Sequence, residues 1–307
     1  MGFDGFTDKD FDTYKLAGRG SATFTLARRT VKDKLRALMV DVAKAMGDAG
    51  KGMELVFSSE APSLENNRSV AEQGAYFIRG ASDRMAVKAL VEKMSLRSST
   101  ALDVSEFHKH ASIGVVVDEH GVFAALNYHP RGQVDRQNLK AKLAESWALD
   151  AFLTTLQGLP EGFTVQLPGM TAPVDRAAIT RENVEEGCKA LDGDTVCTVV
   201  KLRARDVAKG PLADAIAEDI KALLPVYAFG AWTAEHDHIQ AVKAAKQQRE
   251  ESRKGTDLKA GAKVRILAGI WNGHTGVVEA VDKKGGLHVR VGLVSVRLDA
   301  KDAAAAS

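Results

Sequence analysis

Cysteine is nearly absent from this chain of 307 residues, which holds two, Cys188 and Cys197, with eight residues between them. Such a pair cannot by itself make a four-ligand zinc site, so both read as small buried apolar residues in a reducing compartment. Aromatic residues are sparse too, at 6%. No run approaches the roughly 18 apolar residues of a membrane span. The opening Met1-Gly2-Phe3-Asp4-Gly5-Phe6 has neither the basic nor the apolar region of a secretory signal. A cytoplasmic protein without membrane contact is therefore expected. There is no Gly-x-Ser-x-Gly elbow, Walker glycine loop, Gly-x-Gly-x-x-Gly or His-Glu-x-x-His. Those gaps lower the odds of several common enzyme classes, and no cofactor or metal ion is expected.

What is present supports two modules. At 45% hydrophobic residues the chain can bury a sizeable core and has room for two domains. The net charge of +2 conceals an asymmetry. From Lys259 onward there are eight Lys or Arg against four Asp or Glu, while positions 1–231 hold 29 basic and 31 acidic residues. Between them, residues 232–257 are polar and helix-favouring, with Lys246 and Glu250 four apart on one face. The expected organisation is a body over 1–231, a helical linker over 232–257 and a small β domain over 258–303.

The body alternates helical and strand patterns. Val31, Leu35, Leu38, Met39, Val42 and Met46, with Leu26, mark an amphipathic helix closed by Gly50. Strands are expected at 54–57 and 75–79, and a helix at 83–94. Ser112–Asp118 and Val122–Asn127, joined through Glu119-His120-Gly121, form the strongest hairpin signal. A long helix over 135–157, a strand over 163–167, a helix capped by Thr180, a strand over 195–202 and a helix from Pro211 to Leu224 follow. Hairpins mixed with helices argue for an α+β fold with a mixed or antiparallel sheet.

The C-terminal stretch is the most specific. Gly261-Ala262-Lys263-Val264-Arg265-Ile266 alternates, Gly269 and Gly273 follow, and Gly276-Val277-Val278-Glu279-Ala280-Val281 resumes the β-branched pattern. The segments Leu287–Val291 and Val294–Leu298 add two more short strands. This strand and glycine order resembles the KOW motif of NusG-type factors and several ribosomal proteins. The resemblance implies a small SH3-like barrel, plugged at one end by Trp271, that holds RNA, DNA or a protein of the transcription or translation machinery. Lys263, Arg265, Lys283, Lys284, Arg290 and Arg297 fall on alternating or turn positions and are the expected nucleic-acid contacts. The beginning Phe3-Asp4-Gly5-Phe6-Thr7, with Asp10-Phe11-Asp12 and the basic helix after it, resembles the start of YktB-like bacterial families. That likeness covers about fifty residues and brings no functional residues.

Within the body, His108-Lys109-His110 has the His-x-His form, and two such residues share a face if they lie on a strand. His129 and Arg131 sit in the turn that ends the hairpin, where binding groups are commonly displayed. These four are the candidate ligand-binding residues. His236 and His238 repeat the His-x-His form in a setting where the rings would diverge, and Asn66, Asn67, Arg68, Gln73 and Arg79 form an early polar cluster. The leading expectation is a non-enzymatic protein associated with nucleic acid, the ribosome or the transcription machinery. The alternative is an enzyme in the body that the barrel delivers to its substrate.

Overall fold

The computed structural model describes residues 3–63, 66–93, 105–239, 258–266, 271, 273–282, 286–292, 294–299 and 302–306. The protein is α+β and separates into two compact units, Met1–His238 and Ile239–Ser307. Among the described residues no helix is long and apolar enough to cross a membrane. The helices are α1 (Asp8–Asp12), α2 (Leu16–Arg19), α3 (Thr25–Met46), α4 (Ala81–Lys93), α5 (Glu106–Lys109), α6 (Gln133–Leu143), α7 (Ser146–Gln157), α8 (Arg181–Lys189), α9 (Arg205–Ala208) and α10 (Ala213–Gly230). Strands of the first unit are β1 (Met53–Phe57), β2 (Gln73–Arg79), β3 (Ser112–Val117), β4 (Gly121–Tyr128), β5 (Phe163–Gln166), β6 (Val174–Asp175) and β7 (Cys197–Ala204). They form one antiparallel sheet in the order β1-β2-β3-β4-β7-β5-β6.

Alternation sorts this sheet into two unequal faces. Ala75, Phe77, Ile113, Val115, Val122, Ala124, Leu126 and Val199 point toward the main core, where α3 contributes Val31, Leu35, Leu38 and Val42 and α10 contributes Ile216, Ile220 and Leu223. Tyr76, Ile78, Val116 and Ala125 point the other way and form a second, smaller cluster with Phe107 of α5. Both faces of β2 and β3 are therefore buried. The uninterrupted run Val115-Val116-Val117 reflects this, since a strand covered on both sides has no polar face to show.

Polar groups inside the unit are tied to named partners. Arg28 is fully buried on α3 and donates to the carbonyls of Glu60 (2.6 Å), Gly18 (3.0 Å) and Ser21 (2.8 Å). Asp135, in the first turn of α6, accepts from Arg79 at the end of β2, from Trp232 N (2.7 Å) and from Ala111 N (2.6 Å). Arg79 also donates to Trp232 O at 2.6 Å. His238 N donates to Asn138 at 2.9 Å, so the chain after residue 231 still bonds to the body. Of the helical linker expected over 232–257, residues 240–257 lie outside the described residues.

Three helix expectations change in detail. Leu26 does not join the apolar stripe of α3 and stays exposed. The helix expected over 135–157 is two helices, α6 and α7, broken where Glu145 takes an extended backbone (φ −88°, ψ 126°). The break lets α6 bury Leu139 and Leu143 while α7 buries Leu149, Phe152 and Leu156 in the same core. The last helix runs through Pro225 to Gly230, past the expected end at Leu224. Tyr128 braces this segment by donating to the carbonyls of Val226 (2.8 Å) and Tyr227 (2.9 Å). The Thr180 cap forms as expected: its Oγ1 accepts from Asn183 N at 3.2 Å, and Asn183 Oδ1 accepts from Thr180 N at 3.1 Å.

The second unit is a barrel-like antiparallel sheet of β8 (Lys263–Ile266), β9 (Thr275–Val281), β10 (Gly286–Val291), β11 (Val294–Asp299) and β12 (Ala303–Ala305), ordered β11-β10-β9-β8-β12. Val264, Ile266, Val278, Leu287 and Val289 fill its core, and half-buried Trp271 packs against them. Strand β12 comes from the terminal alanines and pairs with β8, extending the sheet beyond the expected strands. Gly276 lies within β9 and has no positive φ. A Cβ there would stand 2.5 Å from Val289 and 2.6 Å from the Arg290 carbonyl, so space rather than backbone angle demands glycine. Gly269 lies outside the described residues.

Two stability outcomes follow. Asp135→Ala leaves the Arg79 guanidinium buried without its counter-charge, and urea unfolding should show a loss of about 3–5 kcal/mol; a loss below about 1 kcal/mol would mean that the pair is dispensable. Gly276→Val should destabilise the second unit by about 1–3 kcal/mol through overpacking. Hydrogen exchange in residues 258–306 of the full chain reads this directly, and unchanged protection there would contradict the tight approach of β10.

Candidate functional site

On the second unit, burial alternates along β8, so Val264 and Ile266 enter the core while Lys263 and Arg265 face solvent. Neither makes an ion pair among the described residues. Register carries this face across the sheet, with Lys263 opposite Val277, Val277 opposite Arg290, and Arg290 opposite Ser295. The exposed Val277 thus separates the β8 cations from Arg290. Arg290 pairs with Glu279 at 2.5 Å, and Arg297 pairs with Asp282 at 2.7 Å. Hydrogen bonds from Ser295 and then Arg290 hold the Glu279 carboxyl below its ordinary range. Half of the described basic set is therefore neutralised locally, and the uncompensated charge lies on β8. Lys283 and Lys284 lie outside the described residues. At the end of the β8–β9 connection, Trp271 and His274 meet edge to face at 5.7 Å, beside the Arg265–Thr275 pair.

In the body, the His-x-His spacing does not bring its two rings together. His108 lies in the helical turn α5 and His110 in extended backbone after it. His108 instead stacks on His129 at 4.0 Å and 21°. His129 Nδ1 accepts from Arg131 N at 3.2 Å, while the Arg131 side chain is exposed. His110 is buried beside the Arg79–Asp135 pair, its Nε2 3.8 Å from Glu106 and its Nδ1 without a hydrogen-bond partner among the described residues. No group of three potential metal ligands occurs among the described residues.

His108 and His129 border a cavity of about 290 Å³ on the second face of the large sheet. The cause of the hollow is visible in the register. Tyr76, Gly114, Ala125 and Val200 stand side by side across β2, β3, β4 and β7, and the two central residues are small. Gly114 cannot be larger, because a Cβ would come within 2.0 Å of the Ala75 carbonyl. Tyr76 and Phe107 stack at 4.5 Å as one wall. Glu72 and Asp118 stand at one end; Ser112, Asn127 and Thr198 form a cross-strand row at the other. Motif reading missed all five, because the signal is a second-face alternation spread over four strands.

Electrostatics differ between the ends. Burial, then the neighbouring His108 and the cations of Arg131 and Arg136, lowers His129 to about 3, so its ring is neutral near pH 7. Burial, then Arg79, lowers His110 to about 4. Surrounding protein raises the Glu72 carboxyl and Asp118 adds to the rise, although the Glu72 side chain still reaches solvent, which holds the rise in check.

Both depressed histidines make stability depend on pH. Between the unfolded value near 6.5 and folded values of about 3 and about 4, the unfolded chain binds more protons. Stability should therefore fall as pH drops through this window and gain nothing from these groups above pH 7. Urea midpoints measured from pH 7 to pH 4 should fall more steeply for the native chain than for His110→Gln. Equal slopes would show that His110 is not buried in its neutral form.

No protein-family model matches the chain, and no significantly similar curated protein was found.

Proposed function

We propose that the second unit is an RNA-contacting module and that the protein works as a non-enzymatic, RNA- or ribosome-associated factor. The observation that carries this reading is the pair of exposed cations Lys263 and Arg265 on one face of β8, without an ion-pair partner among the described residues and next to the Trp271–His274 edge. Phosphates attract such cations, and unstacked bases find flat surfaces on neighbouring rings, the combination used in single-strand recognition. The likeness of the strand order to the KOW motif points the same way. Arg290 and Arg297 contribute less, since acidic neighbours already hold them. A cytoplasmic location accords with two unpaired cysteines, Cys188 and Cys197.

The test is binding of the full chain to a fluorescently labelled single-stranded RNA across a salt series. Lys263→Glu with Arg265→Glu should weaken binding at least tenfold and reduce the log–log salt slope by roughly 1–2, since each phosphate contact contributes about 0.7 for single strands. Arg290→Glu should have a smaller effect. Wild-type affinity in the double variant, or no RNA binding by the native chain, would replace RNA with a protein partner.

A further inference from the structure

The cavity on the second face of the large sheet has no part in the RNA reading, and its chemistry is ordered along its length. Strand β3 runs from Ser112 at one end to Val117, next to Asp118, at the other, a span of about 20 Å at strand spacing. Between the ends, the lining is apolar, with Val116 and Phe123 in one cross-strand row and Ala125 and Val200 in the next. The acidic end places Glu72 beside Asp118. Asp118 Oδ1 already accepts from His120 N (2.6 Å) and Gly121 N (3.1 Å), and among the described residues Oδ2 accepts no hydrogen bond. At the far end Ser112 is fully buried and its Oγ has no hydrogen-bond partner among the described residues, although it lines the cavity. A buried hydroxyl left unpaired costs about 1–3 kcal/mol, a cost that a bound polar group would remove.

We propose that this cavity binds a linear organic amine, with its cationic head at Glu72 and Asp118, an apolar stem over Ala125 and Val200, and a neutral hydroxyl or amide tail at Ser112 and Asn127. Charge decides the direction of the ligand. The Glu72–Asp118 end repels an anion and attracts a cation, whereas the Ser112 end offers hydrogen bonds and lies toward His129, where the nearby Arg131 and Arg136 cations disfavour a second positive charge. The volume of about 290 Å³ lies at the small end of the range for small-molecule sites. The stacked Tyr76 and Phe107 rings keep one wall apolar and rigid, so the stem needs no specific partner.

The experiment compares two probes of equal length and opposite charge, 10-aminodecan-1-ol and 10-hydroxydecanoate, by calorimetric titration of the full chain. The amine should bind with a Kd below about 1 mM, and the carboxylate at least tenfold more weakly. Glu72→Gln, at a solvent-reaching position, should weaken the amine at least tenfold. Ser112→Ala should weaken 10-aminodecan-1-ol several-fold and leave decylamine, which lacks the hydroxyl, unchanged. Equal binding of the two probes, or an unaltered amine affinity in Glu72→Gln, would reduce the cavity to a non-selective apolar slot. No amine binding at about 1 mM would overturn the proposal outright.

Discussion

The buried Arg79–Asp135 ion pair is the constraint on which the rest of the first unit depends. It joins the end of β2 to the start of α6, and through backbone bonds it also fixes Ala111 and Trp232. Four chain segments distant in sequence thus meet at one carboxylate. Two ions removed from water are stabilised only when their remaining hydrogen-bonding sites are filled, and here the filling groups are backbone amides and a carbonyl. Among the described residues the Arg79 Nε is left without a partner. Because the partners are main-chain groups, the pair sets where the polypeptide must pass, including the approach of Ala111 to β3.

That placement explains why the large sheet has two unlike faces. With α3, α6, α7 and α10 gathered on one side, the opposite side receives, among the described residues, a small apolar cluster closed by Phe107 of α5. Gly114 and Ala125 at its centre leave a depression instead of a ridge. A structural pair on one side and a hollow on the other are thus linked through β2 and β3, which are buried on both faces. The pair belongs to the architecture, and the hollow is lined by one of the buried polar groups that the architecture leaves unsatisfied among the described residues, the Ser112 hydroxyl.

Much of the fold was legible because burial leaves a period in the residues. The α3 stripe, the β3–β4 hairpin and the alternation of β8 and β10 all follow from it, while the Thr180 cap was legible from its hydroxyl at a helix start. Other features carry no such period. The break at Glu145 depends on how two helices share one core, and the passage of α10 through Pro225 depends on a hydroxyl from β4. The pairing of β12 is invisible in a run of alanines, whose strand character comes wholly from β8. For the histidines, spacing misled because the local chain is a helical turn followed by extended backbone, so His108 meets His129 and not His110. The acidic end of the cavity was unreadable for a different reason. Glu72 and Asp118 are far apart in sequence and become neighbours only through the β2–β3 register, which continues past the paired Gln73 and Val117.

The sheet order has a consequence for synthesis. Strands β1 to β4 form a meander of neighbours, but β4 finds its other partner only in β7, the last strand, which enters between β4 and β5. As the chain emerges, β4 must therefore wait with an open edge while two helices, two strands and a third helix are made. Strand β5 waits likewise, bonded at most to the two residues of β6. An unpaired apolar edge can recruit another nascent chain. Insertion of β7 closes both edges in one event, so the vulnerable period ends when the segment Cys197–Ala204 becomes available.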